Sequence, residues 1–322
     1  MALVSTTATT ATTDAVRRRL EGRRLDLGGT LFKALLLGAL LLSILILVVL
    51  VFDVVAGAWG VLTTRLGSFL SGTLQSRPEV AGISQGLRGS AYIAVFVVVL
   101  AFPIGIAAGI YLEEYAPRSR FTRFVDVNIR NLAGVPSVVY GILGLAIFVG
   151  ALATLPDWLG GGPLTGGRTV MSAGITLAIL VLPIVIITSA EAIRAVPDSI
   201  REAGFGVGAT RWEVVRSHVL PYAVPGILTG TILSLARALG EAAPLILVGA
   251  VTGRLASGGG GVFEALQERF TAMPIIITTW AGRPQSEFQQ SLAPAAIVVL
   301  LVVVLLANAA AILLRDRYER RR

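Results

Sequence analysis

Long apolar runs decide what this chain can become. Residues 31–52, 90–112, 132–153, 171–190 and 293–314 each have about the length that crosses a bilayer core and, Lys33 apart, carry no charge. A sixth run, 223–250, is apolar except at Arg237 and Glu241. Inside lipid a backbone has no water to bond, so a spanning segment is a helix or a strand of a closed barrel. Runs of roughly 20 residues match helices, because barrel strands need only about 10. The expected fold is therefore an all-α polytopic membrane protein with six transmembrane helices. Composition agrees: 14% of the 322 residues are charged, against about 25% in ordinary soluble domains.

The 31–52 run follows a polar, arginine-bearing leader, residues 1–30, an arrangement that can mark a cleaved signal. Its apolar part is too long and no small-residue cleavage site follows, so a retained first helix is expected. Charge then orients the bundle. Arg17, Arg18, Arg19, Arg23, Arg24 and Lys33 lie at the start, and Arg118, Arg120, Arg123 and Arg130 between the second and third runs. Arg194, Arg201, Arg211 and Arg216 lie between the fourth and fifth, and Arg315, Arg317, Arg320, Arg321 and Arg322 follow the last. The alternate loops hold fewer cations: Arg65, Arg77, Arg88, Arg168, Arg254, Arg269 and Arg283. Cytoplasmic loops collect Lys and Arg, so both termini are expected inside a bacterial plasma (inner) membrane. On this reading 53–89 is an extracytoplasmic loop, 90–314 the transmembrane core with a cytoplasmic loop at 196–221, and 315–322 a basic tail. The net charge of +8 then reflects topology and contact with membrane lipid rather than nucleic acid.

Prolines interrupt several runs, at Pro103, Pro183, Pro225 and Pro244, and Gly105, Gly109, Gly141, Gly144 and Gly174 recur along helix faces. Small residues allow helices to approach closely in membranes, and proline frees a carbonyl that must be satisfied nearby. Ordinary packing accounts for each alone; together they fit a bundle with a moving pathway. Met273–Trp280 is apolar but too short to span, and is expected to be interfacial or re-entrant. The clusters Gly160–Gly162 and Gly258–Gly261 lack the Lys-Ser/Thr of a phosphate-binding loop and read as flexible turns.

Chemistry is largely excluded. The chain has no cysteine and one histidine, His218, so thiolate chemistry and multi-histidine metal centres are ruled out. No catalytic constellation of carboxylates or of Ser, His and Asp stands out, and no cofactor is expected. The charged pair in the sixth run is the exception to the apolar pattern. Arg237 and Glu241 stand four apart and are therefore expected on one face of the same helix. A charge at that depth is expensive in lipid, so the pair should face a bundle interior or a polar pathway. Two roles stay open: a structural salt bridge, or a contact for something charged in transit.

The loop VPDSIREAGFGVGATRWEVVRSHVLP, 196–221, is longer than a connection requires. Ser199 with Glu202, and Thr210 with Glu213, have capping-box spacing. Two short helices are expected, separated by a turn in which Gly206 or Gly208 takes a left-handed backbone. Pro221 would then open the fifth membrane helix. Ile200, Ala203, Phe205 and Trp212 among arginines suit either a protein partner or a helix lying in the headgroup region.

This segment resembles the EAA signature of the permease subunits of binding-protein-dependent ABC importers: EAA, three residues, G, nine residues, I, one residue, LP. Glu202, Ala203 and Gly204 stand at the EAA positions, Gly208 at the glycine and Leu220–Pro221 at the end. Gly204 replaces the second alanine, and His218 stands where an aliphatic packing residue is usual. A second EAA string, Glu241–Ala243, lacks the rest of the spacing. GVPSVVYG at 134–141, VLP at 181–183, ALGEAAPL at 238–245 and MPIIITTW at 273–280 are together similar to phosphate importer permeases of the PstA type, with the PstC type as the near alternative.

The resemblance implies an all-α permease (MetI-like) core that is not itself an enzyme. It implies a PstC-like permease subunit, two PstB-like ATPase subunits and a PstS-like phosphate-binding protein as partners, with phosphate as substrate. Ser199, Ile200, Arg201, Glu202, Ala203, Gly204, Phe205 and Gly208 are the residues expected to couple to the ATPase, and Arg237 and Glu241 those expected along the substrate pathway. Another oxyanion or solute, a secondary transporter and a membrane scaffold are the competing readings. A secondary carrier would often show inverted repeats, and none is evident; a scaffold gives no reason for Arg237 and Glu241.

Overall fold

A computed structural model describes residues 27–154, 166–251, 266 and 268–319. The chain divides into two units, one ending at Asp53 and one beginning at Val54. The expected clusters Gly160–Gly162 and Gly258–Gly261, most of the arginine-bearing leader, and Arg320–Arg322 lie outside the described residues.

In the first unit, the described residues form the beginning of helix α1 (Leu27–Thr64), with leucines exposed on every side. A helix apolar all round is a lipid span rather than an amphipathic surface helix. The helix does not stop at Phe52 as expected. It runs on to Thr64, and Ala58 and Val61 are buried in the second unit.

The second unit continues with α2 (Leu66–Ser71), α3 (Ser84–Tyr115), α4 (Arg120–Ala133), α5 (Ser137–Ala153) and α6 (Val170–Arg194). There follow α7 (Asp198–Gly206), α8 (Arg211–Gly240), α9 (Ala243–Val248), α10 (Met273–Ala281) and α11 (Ala293–Glu319), the last preceded by a π turn at Phe288–Leu292. Among the described residues five helices are long and apolar enough to cross a membrane: α1, α3, α6, α8 and α11 with its π turn. The pair α4–α5, bent by 102°, makes a sixth if counted as one span. The protein is thus all-α and multi-pass.

Helix α6 is the hub, packed against α3, α4, α5, α8 and α9. It starts on a capping box, in which Ser172 N donates to Thr169 Oγ1 and Thr169 N to Ser172 Oγ. Its contact with α3 is the most extensive in the unit. The buried face of α3 repeats every four residues through Val97, Ala101, Gly105 and Gly109. A Cβ on Gly105 would lie 2.6 Å from Val185 Cγ1, and one on Gly109 2.9 Å from Ser189 Cβ. Only glycine allows that approach, and the contact it opens is dispersion, which drives helix association in lipid.

Two apolar runs depart from the expected single helix. The 132–153 run is broken, because Pro136 denies its own amide and disfavours helical backbone at Val135. The Leu132 carbonyl instead accepts from Val135 N and from the Tyr140 hydroxyl at 2.8 Å, which pins the corner. The 223–250 run is broken after Gly240, since Pro244 lacks the amide that would bond that carbonyl and its ring would crowd it. Pro244 instead sits in the first turn of α9, where a missing amide costs little. Conversely, Pro221 opens nothing. Helix α8 already begins at Arg211, and a π turn at Val215–Val219 adjusts the backbone just ahead of the proline. The expected second short loop helix is therefore the first turns of α8.

Helix α10 is non-spanning, as expected, and most of it is buried in protein. Trp280 packs between Phe69 and Phe288, with ring centroids 6.2 and 5.5 Å away. Met273 N donates to Ser90 Oγ of α3 at 2.9 Å, so non-lipid contacts hold this element.

Candidate functional site

The polar loop folds as a short helix clamped onto the ends of two long ones. Helix α7 starts after Pro197, two residues earlier than the capping-box spacing implied. Ser199 therefore lies inside the first turn and caps nothing, while Asp198 supplies the negative charge favoured there. The other box holds: Glu213 Oε2 accepts from Thr210 N at 2.7 Å, and Glu213 N donates to Thr210 Oγ1. Gly208 is the left-handed residue, at φ +83°. Gly208 N donates to Phe205 O and Ala209 N to Gly204 O, the paired bonds of a Schellman ending.

Arg201 fixes the position of α7. Its guanidinium donates to Glu114 Oε1 at 2.8 and 3.1 Å, to the carbonyls of Ile193 and Val196 at 2.9 and 2.7 Å, and to Asp198 Oδ1 at 3.2 Å. Those carbonyls end α6, where a cation complements the helix dipole. The carboxylate comes from the π turn Tyr111–Tyr115 that ends α3. The side chains of Arg201 and Glu114 are only 18% and 8% exposed, so the pair is largely withdrawn from water. Beside it Glu113 accepts two bonds from Arg194. A groove of about 560 Å³ runs past these residues to Phe205 and Arg211.

The residues expected to couple outward therefore separate into two sets. Ser199, Glu202, Ala203, Phe205 and Gly208 are exposed; Ile200 and Arg201 are half-buried and Gly204 is buried. A Cβ at Gly204 would stand 2.8 Å from Val214 Cγ2, so the glycine lets α7 lie directly on α8. His218 is exposed, contrary to the packing position expected for it, because Val215 and Val219 are the residues turned inward. Val207 was not anticipated. It is 84% exposed at the tip and extends the apolar surface of Phe205 and Trp212. Its signal in the sequence was an apolar residue between two glycines of the turn.

At the other end of α8, Arg237 Nε lies 3.4 Å from Glu241 Oε1. The two do not share a helix: Arg237 is in the last turn and Glu241 just beyond it, in extended backbone at φ −80°, ψ 117°. Nor is the pair enclosed among the described residues. The Arg237 side chain is 45% exposed and that of Glu241 19%. The site is a charged notch at a helix break, open on one side.

A family model for the inner membrane component of binding-protein-dependent transport systems matches residues 101–322. The chain belongs to this family. Membership supports a transport role without catalysis by this subunit. The chain is 34% identical over 171 residues to the probable ABC transporter permease protein YqgI of Bacillus subtilis, covering 53% of this chain and 54% of that one. It is 33% identical over 234 residues to the phosphate transport system permease protein PstC of Mesorhizobium japonicum, covering 68% and 71%. With PstA 1 of Mycobacterium tuberculosis it shares 33% over 199 residues, covering 61% and 60%. The matched part of the chain spans about half the length of YqgI and of the mycobacterial PstC 2 proteins.

Among solved structures, this one is similar to a bacterial alginate ABC transporter in complex with its alginate-bound periplasmic protein. The TM-score is 0.61 at 16% identity, over 87% of this chain and 92% of that one. The MetNI methionine ABC transporter gives a TM-score of 0.52 at 18% identity, over 76% and 99%. At such identities the likeness establishes the permease fold alone.

Proposed function

We propose that the chain is the membrane-spanning permease subunit of an ATP-driven importer for inorganic phosphate, forming half of the translocation pathway. In this reading a PstC-like subunit supplies the other half, two PstB-like ATPase subunits dock from the cytoplasm, and a PstS-like protein delivers phosphate from outside. Both termini are cytoplasmic. The exposed Ser199, Glu202, Ala203, Phe205 and Gly208 meet the ATPase, while Ile200, Arg201 and Gly204 hold that surface in place.

One observation carries the reading: Arg237 is half exposed on the membrane-spanning part of α8, which carries no other charge after Arg216. Facing lipid, such a cation would cost several kcal/mol, so its open side belongs to a partner subunit or an aqueous path. A guanidinium there offers a phosphate oxygen a charge-assisted bond. Glu241, already within 3.4 Å, offsets part of the charge and keeps the anion from being held too tightly to leave. The phosphate-system names among the relatives support the choice of anion.

The test is ATP-dependent uptake of radiolabelled phosphate into vesicles containing the purified complex. Uptake of phosphate is expected. Uptake of a different oxyanion instead would sink the substrate, and failure of any ATPase subunit to copurify would sink the importer. A second reading, the PstC-type position in the same complex, is favoured by the longer match to PstC of Mesorhizobium japonicum. Copurification with a PstA-type rather than a PstC-type subunit would decide for it.

A further inference from the structure

Helix α4 has a face that neither the fold nor the transport reading uses. Phe121 and Phe124 are 74% and 65% exposed, and Leu132 on the same side is exposed too. The spacing through 121, 124, 128 and 132 places them along one stripe. Val125, Ile129 and Ala133 are half-buried, on the side of α4 that packs toward α6. Arg118 and Arg120 stand at the start of the exposed stripe and Arg123 on the face turned away from Phe121. All three are exposed and reach no carboxylate among the described residues, whereas Arg130 is paired with Asp126 and Glu191. The helix begins at the Ser119 cap, and its first turn holds no acidic residue. Cations crowded at the positive end of a helix repel it, and an external anion relieves the repulsion.

Its placement says which anion. Helix α5 packs along the span α6, and α4 leaves α5 at 102°. The ion pair Arg130–Glu191 ties α4 to the last turns of α6, where that span ends. A helix crossing the end of a bundle nearly at right angles lies along the bilayer surface, on the side that charge placement assigns to the cytoplasm. Aromatic residues on one face with arginines beside them are what an interfacial helix carries.

We propose that α4 is an in-plane anchor on anionic phospholipid, with Phe121, Phe124 and Leu132 in the acyl boundary and Arg118, Arg120 and Arg123 on the headgroup phosphates. The chain lacks cysteine, so single labels can be placed at Phe121→Cys or Phe124→Cys without further changes. With the full chain in phosphatidylcholine vesicles containing phosphatidylglycerol, a nitroxide there should be reached by oxygen and shielded from a water-soluble nickel relaxant. Access by nickel would put the face in water. Shielding from both would put it under protein, whether a second permease or an ATPase. Either outcome overturns the proposal.

The headgroup half is read from the association of spin-labelled phosphatidylglycerol against phosphatidylcholine. An arginine at an anionic surface is worth about fivefold, so Arg118→Gln, Arg120→Gln, Arg123→Gln together should lose at least that factor in preference. The matching triple lysine variant should keep it. Retained preference in the glutamine variant, or lost preference in the lysine variant, would overturn the assignment of these side chains to headgroups.

Discussion

An arginine half exposed on the membrane-spanning part of a helix can lower its energy by pairing within the chain or by meeting something polar outside it, and Arg237 has the geometry for both. Its contact with Glu241, at 3.4 Å with the side chain 45% exposed, leaves guanidinium donors without a partner among the described residues. A charge-assisted bond is worth about 1.5–3 kcal/mol, so Arg237→Gln should cut phosphate uptake roughly tenfold or more while the subunit still assembles. Loss of the assembled subunit would instead make the pair a structural bridge. Full uptake in the double variant Arg237→Gln, Glu241→Gln would show that transport needs neither charge. The spacing of four was readable from the chain, but the helix end between the two was not. It depends on Pro244, whose ring acts on a carbonyl four residues back.

At the scale of elements, α7 behaves as a strut. It has one buried residue of its own, Gly204, so burial of its own side chains holds it weakly. Arg201 compensates by joining it to the ends of α3 and α6 through Glu114, Ile193 and Val196. Removing one partner of a largely buried pair costs about 3–5 kcal/mol. Arg201→Glu or Glu114→Arg alone should therefore abolish copurification of the ATPase while the spans still insert. The exchange Arg201→Glu with Glu114→Arg should recover part of it; no recovery would mean that the pair does not position α7. Arg201 was expected to couple to the ATPase because the resemblance places it beside the EAA positions. Its partner is 87 residues away, and no local pattern reports such a contact.

For the whole molecule, the arrangement of spans makes a prediction about sides. Ser217, in the π turn near the start of α8, and Ser286, before α11, are both exposed. With α8 crossing once and α9 and α10 not spanning, they belong on opposite faces. On the cysteine-free background, Ser217→Cys should react with an impermeant maleimide only from the cytoplasm and Ser286→Cys only from outside. Labelling of both from one side would overturn the topology.

What the chain alone determined is whatever depends on neighbours within a few positions. Lipid-length apolar runs yield helices because the backbone can satisfy itself only along its own axis there. The Thr210–Glu213 box and the left-handed glycine of the turn are likewise local geometry; the box was legible, and the glycine was narrowed to Gly206 or Gly208, of which the structure takes Gly208. The corner at Pro136 and the break at Gly240 have local proline causes as well; the tertiary structure decided the inward turn of Arg201 and the open side of Arg237. Each of these rests on which surfaces meet. Glu114 reaches across from α3, and nothing among the described residues covers the Arg237 side chain fully. A sequence states which groups need partners; packing in three dimensions decides which of them find one inside the chain and which stay open to another molecule.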